Sequence, residues 1–162
     1  MQLSREAVRA AKRCLVDYWQ YRRQLSLCED YLETIHYMGG PQEVRVSLIT
    51  SQAGPQERVV MAKEGDKEYR LLQAIVRTIE RGLVDLNQRQ RNCVDLAYRR
   101  GRDVRDICRM LDISQATYWR EMDKIINVIA EPALQAQALI VKLEKLRARR
   151  DQIRNKKLCK TW

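Results

Sequence analysis

From Ala11 to Ile35 the chain is apolar at every third or fourth position without a break. The series is Ala11, Cys14, Tyr18, Tyr21, Leu25, Cys28, Leu32 and Ile35, a strict 3,4 alternation. On an α-helix this spacing lines the side chains up as one continuous stripe, whereas on a strand they would scatter over both faces. A second series, Tyr69, Leu72, Val76, Ile79, Leu83 and Leu86, repeats the pattern. Soluble proteins rarely leave such stripes bare. The two are therefore expected to pack on each other as a helical hairpin, or on those of a second copy.

Breakers are scarce: the 162 residues include 6 Gly and 3 Pro, placed at a few points between long helix-forming stretches. Phe is absent, so the core must be built from Leu, Ile, Val, Tyr, Met and Ala. These features predict an all-α fold. It would comprise a coiled-coil-like N-terminal part, a helix-turn-helix module and a basic C-terminal helix.

Ser4 stands where an N-cap is expected, and a long helix is predicted over residues 4–37, ended by Gly39, Gly40 and Pro41. Residues 38–65 read as a linker. Within it Val44, Val46 and Leu48 alternate with polar residues, hinting at a short strand, and Gly54 and Pro55 look like a break. A second helix starts near Asp66, and Gly82 inside it costs about 1 kcal/mol relative to Ala. A third is predicted over 87–99, opened by Asn87, closed by Gly101, with Cys93, Val94, Leu96 and Ala97 facing inward. Helices over 104–111 and 115–130 follow. Pro132 is expected to break the chain before a last helix at about 133–155, with Leu139, Leu143, Leu146 and Ile153 on one side. The expected units are thus 1–37, 38–65, 66–131 and 132–162.

The formal net charge is +10. It is uneven: residues 132–162 hold 9 Lys/Arg against 2 Asp/Glu, while residues 1–86 hold 13 against 12 and 87–131 hold 9 against 7. Such a balance points to an acidic partner, or to a solvated, frayed helix end. The five cysteines form no C-x-x-C pair and the single histidine, His36, has no nucleophile or ligand near it in sequence. No metal site, cofactor, disulfide framework or phosphate-binding Gly loop is expected, and an enzyme is not the reading the residues favour. No apolar run looks long enough to span a membrane and no signal-peptide h-region is seen, so a reducing cytoplasm is expected.

The most informative stretch is RDVRDICRMLDISQATYWREMDKII, residues 102–126. Asp103 can cap a helix, with Asp106 as a weak capping-box partner. Ile107 and Leu111 share a face. Asp112 falls where the chain must turn sharply, and Asp tolerates the left-handed conformation. Ile113 can plug the angle between two helices, and Ser114 can cap the second. Tyr118, Met122, Ile125 and Ile129 then form a core-facing stripe. The opposite stripe offers Gln115, Ala116, Thr117, Trp119, Arg120, Asp123 and Lys124.

In a helix-turn-helix the first turns of the second helix enter the major groove. There Gln can read adenine, Arg guanine, and Ala or Thr methyls thymine. Gln115, Ala116, Thr117, Trp119, Arg120 and Lys124 are the candidate base readers. Arg99, Arg100, Arg102, Arg105, Arg109 and Ser114 are candidates for flanking phosphates. Trp119 could alternatively pack against the C-terminal helix.

Two runs, LNQRQRNCVDLAYRRG (86–101) and RDICRMLDISQATY (105–118), together resemble region 4 of the sigma-70 family. Leu86, Arg91, Val94, Leu96 and Tyr98 match the first part of its pattern. Asp106, Ile107, Cys108, Leu111, Ile113, Ser114, Thr117 and Tyr118 stand at the places of the second. Cys108, Asp112 and Tyr118 depart from the usual Ala, Gly and Val. The layout as a whole, a long N-terminal helix, a linker, a helix and then this module, is similar to phage transcriptional regulators of the RinA and ArpU type. The resemblance implies a sequence-specific regulator of transcription in a bacterial host cell. Double-stranded DNA would be its partner, with RNA polymerase and a second copy as further candidates and no membrane. A small terminase subunit, which packages phage DNA, is the alternative with the same motif. A third is an RNA- or membrane-associated helical protein, but aromatic platforms for single strands are not grouped and the last helix lacks a segregated anchoring face.

Overall fold

The computed structural model describes residues 4–37 and 55–158, and they are all-helical, with no strand among them. The helices are α1 (Arg5–Tyr37), α2 (Pro55–Gly65), α3 (Lys67–Val84), α4 (Gln88–Val94), α5 (Val104–Leu111) and α6 (Gln115–Leu158), with a π-helical turn (Asp95–Arg99) following α4. The expected strand at Val44–Leu48 and the side chains of Ile35, His36 and Ile153 lie outside the described residues.

The helix starts follow local chemistry. Ser4 Oγ accepts the N–H of Ala7 at 3.1 Å, and Asp66 Oδ1 accepts that of Tyr69 at 2.9 Å. Each satisfies a donor that a helix N-terminus leaves without an internal partner. Asn87 and Gln90 close a full capping box, at 2.9 Å and 3.1 Å. Arg91 reaches back to the carbonyls of Leu86 and Val84, at 2.9 and 3.0 Å, and so satisfies acceptors at the end of α3.

Both seams are used inside the chain. Ala11, Cys14, Tyr18 and Leu32 of α1 are buried, and Tyr21, Leu25 and Cys28 are half-buried. Tyr69, Leu72, Val76, Ile79 and Leu86 are buried as well, joined by Ile75, so the stripe on α3 is wider than the 3,4 series alone. The extra width faces a third helix. Tyr18 donates to Glu80 at 2.9 Å and Tyr69 to Glu29 at 3.0 Å, so α1 and α3 run antiparallel. Arg147 bonds both Glu68, at 2.8 Å, and Gln24, at 3.0 Å, while Pro132 packs at Gly82. Helix α6 is therefore antiparallel to α3 and parallel to α1.

Four expectations need correction. The first is the break at Pro132, since α6 continues through it as one helix of 44 residues. A proline inside a helix costs roughly 3 kcal/mol, through a lost N–H and a clash with the carbonyl four residues earlier. Ile125, Ile129, Ala133, Ala136, Ile140 and Leu143 stay in phase on one buried face across it. Burying even two of the large ones contributes about as much as the proline costs. Gly82 has a purpose here, because a Cβ on it would stand 3.2 Å from Pro132 Cγ.

The second is the linker, whose residues 55–65 form α2. Pro55 is a start rather than a stop, since proline's fixed φ suits the first helical position, where no N–H is needed. Val59 is buried, and Lys63 pairs with Glu33 of α1 at 2.8 Å.

The third is the helix over 87–99, which widens after Val94. The N–H of Arg100 bonds the carbonyl of Asp95 at 3.0 Å, and that of Arg102 bonds Leu96 at 2.9 Å, with Gly101 at φ 59° making the turn.

The fourth concerns apolar length. Within Gln115–Gln152 of α6 lies a stretch long and apolar enough, by length and composition, to cross a membrane. Between Ile125 and Val141 the apolar residues are interrupted by Asn127, Pro132, Gln135 and Gln137 and by only one charge, Glu131. Of that stretch 39% is buried in the fold.

Candidate functional site

The site is built by α5, the turn Asp112, Ile113 and Ser114, and the first turns of α6. Asp103 Oδ1 accepts the N–H of Asp106 at 2.8 Å and starts α5. The carboxylate of Asp106 faces Arg109, at 3.5 Å, instead of returning to the cap. Asp112 adopts the left-handed conformation, φ 51° and ψ 52°, and among the described non-glycine residues no other has positive φ. The N–H of Ile113 bonds the carbonyl of Cys108 at 3.0 Å, the long bond of a helix end closed by a left-handed residue. Ile113 packs against the core cluster that includes Ile107, Cys108 and Tyr118. Ser114 Oγ then accepts the N–H of Thr117 at 3.1 Å and starts α6. Tyr118, Met122, Ile125 and Ile129 are buried, which fixes the rotation of α6 about its axis.

That rotation leaves Gln115, Ala116, Trp119, Arg120, Asp123 and Lys124 exposed, with Thr117 half-buried beside Ser114. Trp119 is 55% exposed and rests edge-on against Tyr118, with ring centroids 5.1 Å apart. The helix of 133–155 is a continuation of its own, so Trp119 cannot pack against a separate C-terminal helix. It lines instead a shallow cleft of ≈ 460 Å³ with Asp103, Val104, Arg105 and Gln115. The start of α5 and the start of α6 thus share one surface.

The arginines divide into three kinds. Arg102 and Arg105 are exposed and make no ion pair among the described residues. Arg100 pairs with Asp95 at 2.8 Å and Arg109 with Asp106 at 3.5 Å, both with exposed guanidinium groups. Exposed pairs of this sort contribute little and exchange readily for another anion. Arg99 is engaged on two sides, by Asp95 at 3.3 Å and by the ring of Trp19, 5.0 Å from its centroid. It therefore holds the π-helical turn to α1, while its side chain stays 59% exposed.

Glu121 carries no mark in the sequence as a site residue, yet it sets the position of α6. It is buried and accepts from Gln90 of α4 at 2.9 Å and from Lys124 at 2.9 Å. The Lys124 ammonium and then the Gln90 amide hold its carboxyl below the ordinary range, against the opposing effect of burial. Lys124, a candidate base reader by its stripe, thus spends part of its charge on Glu121. Only contacts across 31 residues of chain could have revealed this.

The C-terminal positive charge is also partly spent. Arg147 and Arg150 both bind Glu68, and the end of α6 is tied to the bundle rather than frayed up to that point. Burial pushes the Cys14 thiol up to about 11 and the Tyr18 hydroxyl, which also donates to Glu80, up to about 12. Both belong to the core. Among the described residues no group of three or more His, Cys, Asp or Glu is placed to hold a metal ion.

No curated protein and no solved structure matches the chain. One family does, over residues 15–131, a span that runs from within α1 to the residue before Pro132. It takes in most of α1, all of α2 to α5 and the first 17 residues of α6, and so the whole of the α5–α6 surface, but not the remainder of α6. By that match the chain belongs to the DUF722 family, whose description is "protein of unknown function".

Proposed function

We propose that this chain is a sequence-specific, double-stranded-DNA-binding regulator of transcription of phage or prophage type, acting in the cytoplasm of a bacterial host. In this reading α5, the turn at Asp112 and α6 are a sigma region 4-like helix-turn-helix. The first turns of α6 enter the major groove. The observation that carries the reading is the shared surface at the two helix starts. Gln115, Ala116, Trp119 and Arg120 stand exposed there, with Arg105 lining the same cleft and Arg102 close by in sequence.

The chemistry suits the task. Gln and Arg offer paired donors and acceptors to purine edges, and the Ala116 methyl can meet thymine. Residues at two helix N-termini line the one cleft, and the partial positive charge of a helix N-terminus favours phosphate. Among the described residues Arg102 and Arg105 make no ion pair, although Asp103 borders the same cleft, and Arg100 and Arg109 can exchange theirs. Arg99 is better assigned to the clasp on Trp19, and Lys124 to a supporting role beside Glu121.

The test is recovery of genomic fragments bound by the full chain. The proposal expects one enriched sequence next to promoters. Enrichment at packaging sites would favour a terminase subunit instead, and no enrichment over random fragments would overturn sequence-specific binding.

A further inference from the structure

Helix α6 carries a second stripe, on the side away from the core. Glu131, Leu134, Ala138, Val141, Lys145 and Ala148 repeat the 3,4 alternation of the seams on α1 and α3, and all six are exposed. Leu134 is 39% and Val141 42% exposed, on the helix that among the described residues is apolar enough, by length and composition, to cross a membrane. The seams of α1 and α3 are covered within the fold, whereas this one is exposed among the described residues. It continues the exposed stripe that begins at Ala116 and Arg120, so one helix presents a polar surface at its start and an apolar one at its middle.

We propose that this face of α6 pairs with the same face of a second copy of the chain, running antiparallel about a two-fold axis near Ala138. The charges select the occupant and its direction. Glu131 lies as far before Ala138 as Lys145 lies after it. An antiparallel copy therefore sets each Glu131 opposite the other's Lys145, twice in the dimer, around a centre of Leu134, Ala138 and Val141. A parallel copy would set Glu131 on Glu131 and Lys145 on Lys145. Neither residue makes an ion pair within the chain among the described residues, so both are available. A 3,4 repeat with opposite charges at its two ends is self-complementary under two-fold rotation. A lipid surface is a poorer match, since Glu131 would have to be buried in it or held against anionic headgroups. The pairing follows from the fold alone and does not depend on what the chain binds.

The test is the mass of the full chain by sedimentation equilibrium across a wide concentration range. Wild type is expected to be a dimer. Glu131→Lys and Lys145→Glu should each weaken it more than about tenfold, because like charges then face each other. The double exchange, Glu131→Lys with Lys145→Glu, should restore it. Val141→Asp should give a monomer with unchanged helical content by circular dichroism, since the residue lies outside the core. A wild-type monomer at all concentrations, an assembly indifferent to the single reversals, failure of the double exchange to rescue, or a monomer that binds phospholipid vesicles through this face would each overturn the proposal.

Discussion

Replacing Gln90 by Ala should loosen the start of α6 without touching an exposed residue. The Gln90 side chain does two things. Its Nε2 donates to Glu121 at 2.9 Å, and its Oε1 accepts the N–H of Asn87 at 3.1 Å to complete the cap of α4. Gln90 is 7% and Glu121 8% exposed, so water cannot readily replace the lost partner. A bond to a charged acceptor contributes about 1.5–3 kcal/mol, and losing part of a cap adds about 0.5–1 kcal/mol. The expected loss is therefore about 2–4 kcal/mol, which at this chain length lowers the melting temperature by roughly 5–15 °C. Little of it belongs to Lys124, whose side chain is largely exposed. Calorimetry at neutral pH measures the loss.

Glu121→Gln gives a second arm. The folded carboxyl titrates below its unfolded value, so its contribution is complete at neutral pH and is lost as pH falls through the lowered folded value. The stability gap between wild type and Glu121→Gln should narrow as the solution is acidified through that range. A melting temperature for Gln90→Ala equal to that of wild type, or a gap that does not change with pH, would refute the argument.

Leu25→Asp combined with Ile79→Asp should lower thermal stability sharply, because Ile79 is fully buried between helices and Leu25 packs on the same core; a melting temperature like that of wild type would mean that the seams are not packed in this way. Gly82→Ala should destabilise the protein despite Ala's better helix propensity, since the new methyl meets the stiff ring of Pro132 at 3.2 Å; a rise in melting temperature would show that α6 yields there. Cys14 should resist thiol reagents at neutral pH in the folded protein and react on unfolding, because burial raises its pKa to about 11 and leaves it 2% exposed; mass spectrometry of labelled peptides reads this directly.

What could be read from the residues alone was mostly local. The caps at Ser4, Asn87, Asp103 and Ser114 depend on a side chain and a backbone group three residues on, and each is where a sequence pattern puts it. Asp112 was legible for the same reason, as a short polar residue between two helical patterns. The two seams were legible as periodicity, but not their third partner, because α6 meets them only through the fold. Pro55 and Pro132 were misleading in opposite ways. Proline ends helices on average, yet one begins α2 and the other sits within α6, where burial on both sides outweighs its cost. The exposed face of α6 followed once its buried stripe was known. The roles of Arg99 and Glu121 did not, since each is set by a distant partner, Trp19 in one case and Gln90 in the other.

The central claim is that the first turns of α6 read bases. Its most direct measurement compares Gln115→Ala and Arg120→Ala with wild type on an enriched genomic fragment and on random DNA of equal length, at one salt concentration. Each lost base contact should cost about 1–3 kcal/mol, so affinity for the enriched fragment should fall by roughly tenfold to a hundredfold while affinity for random DNA stays nearly unchanged. Equal losses on both DNAs, or no loss on either, would contradict the account.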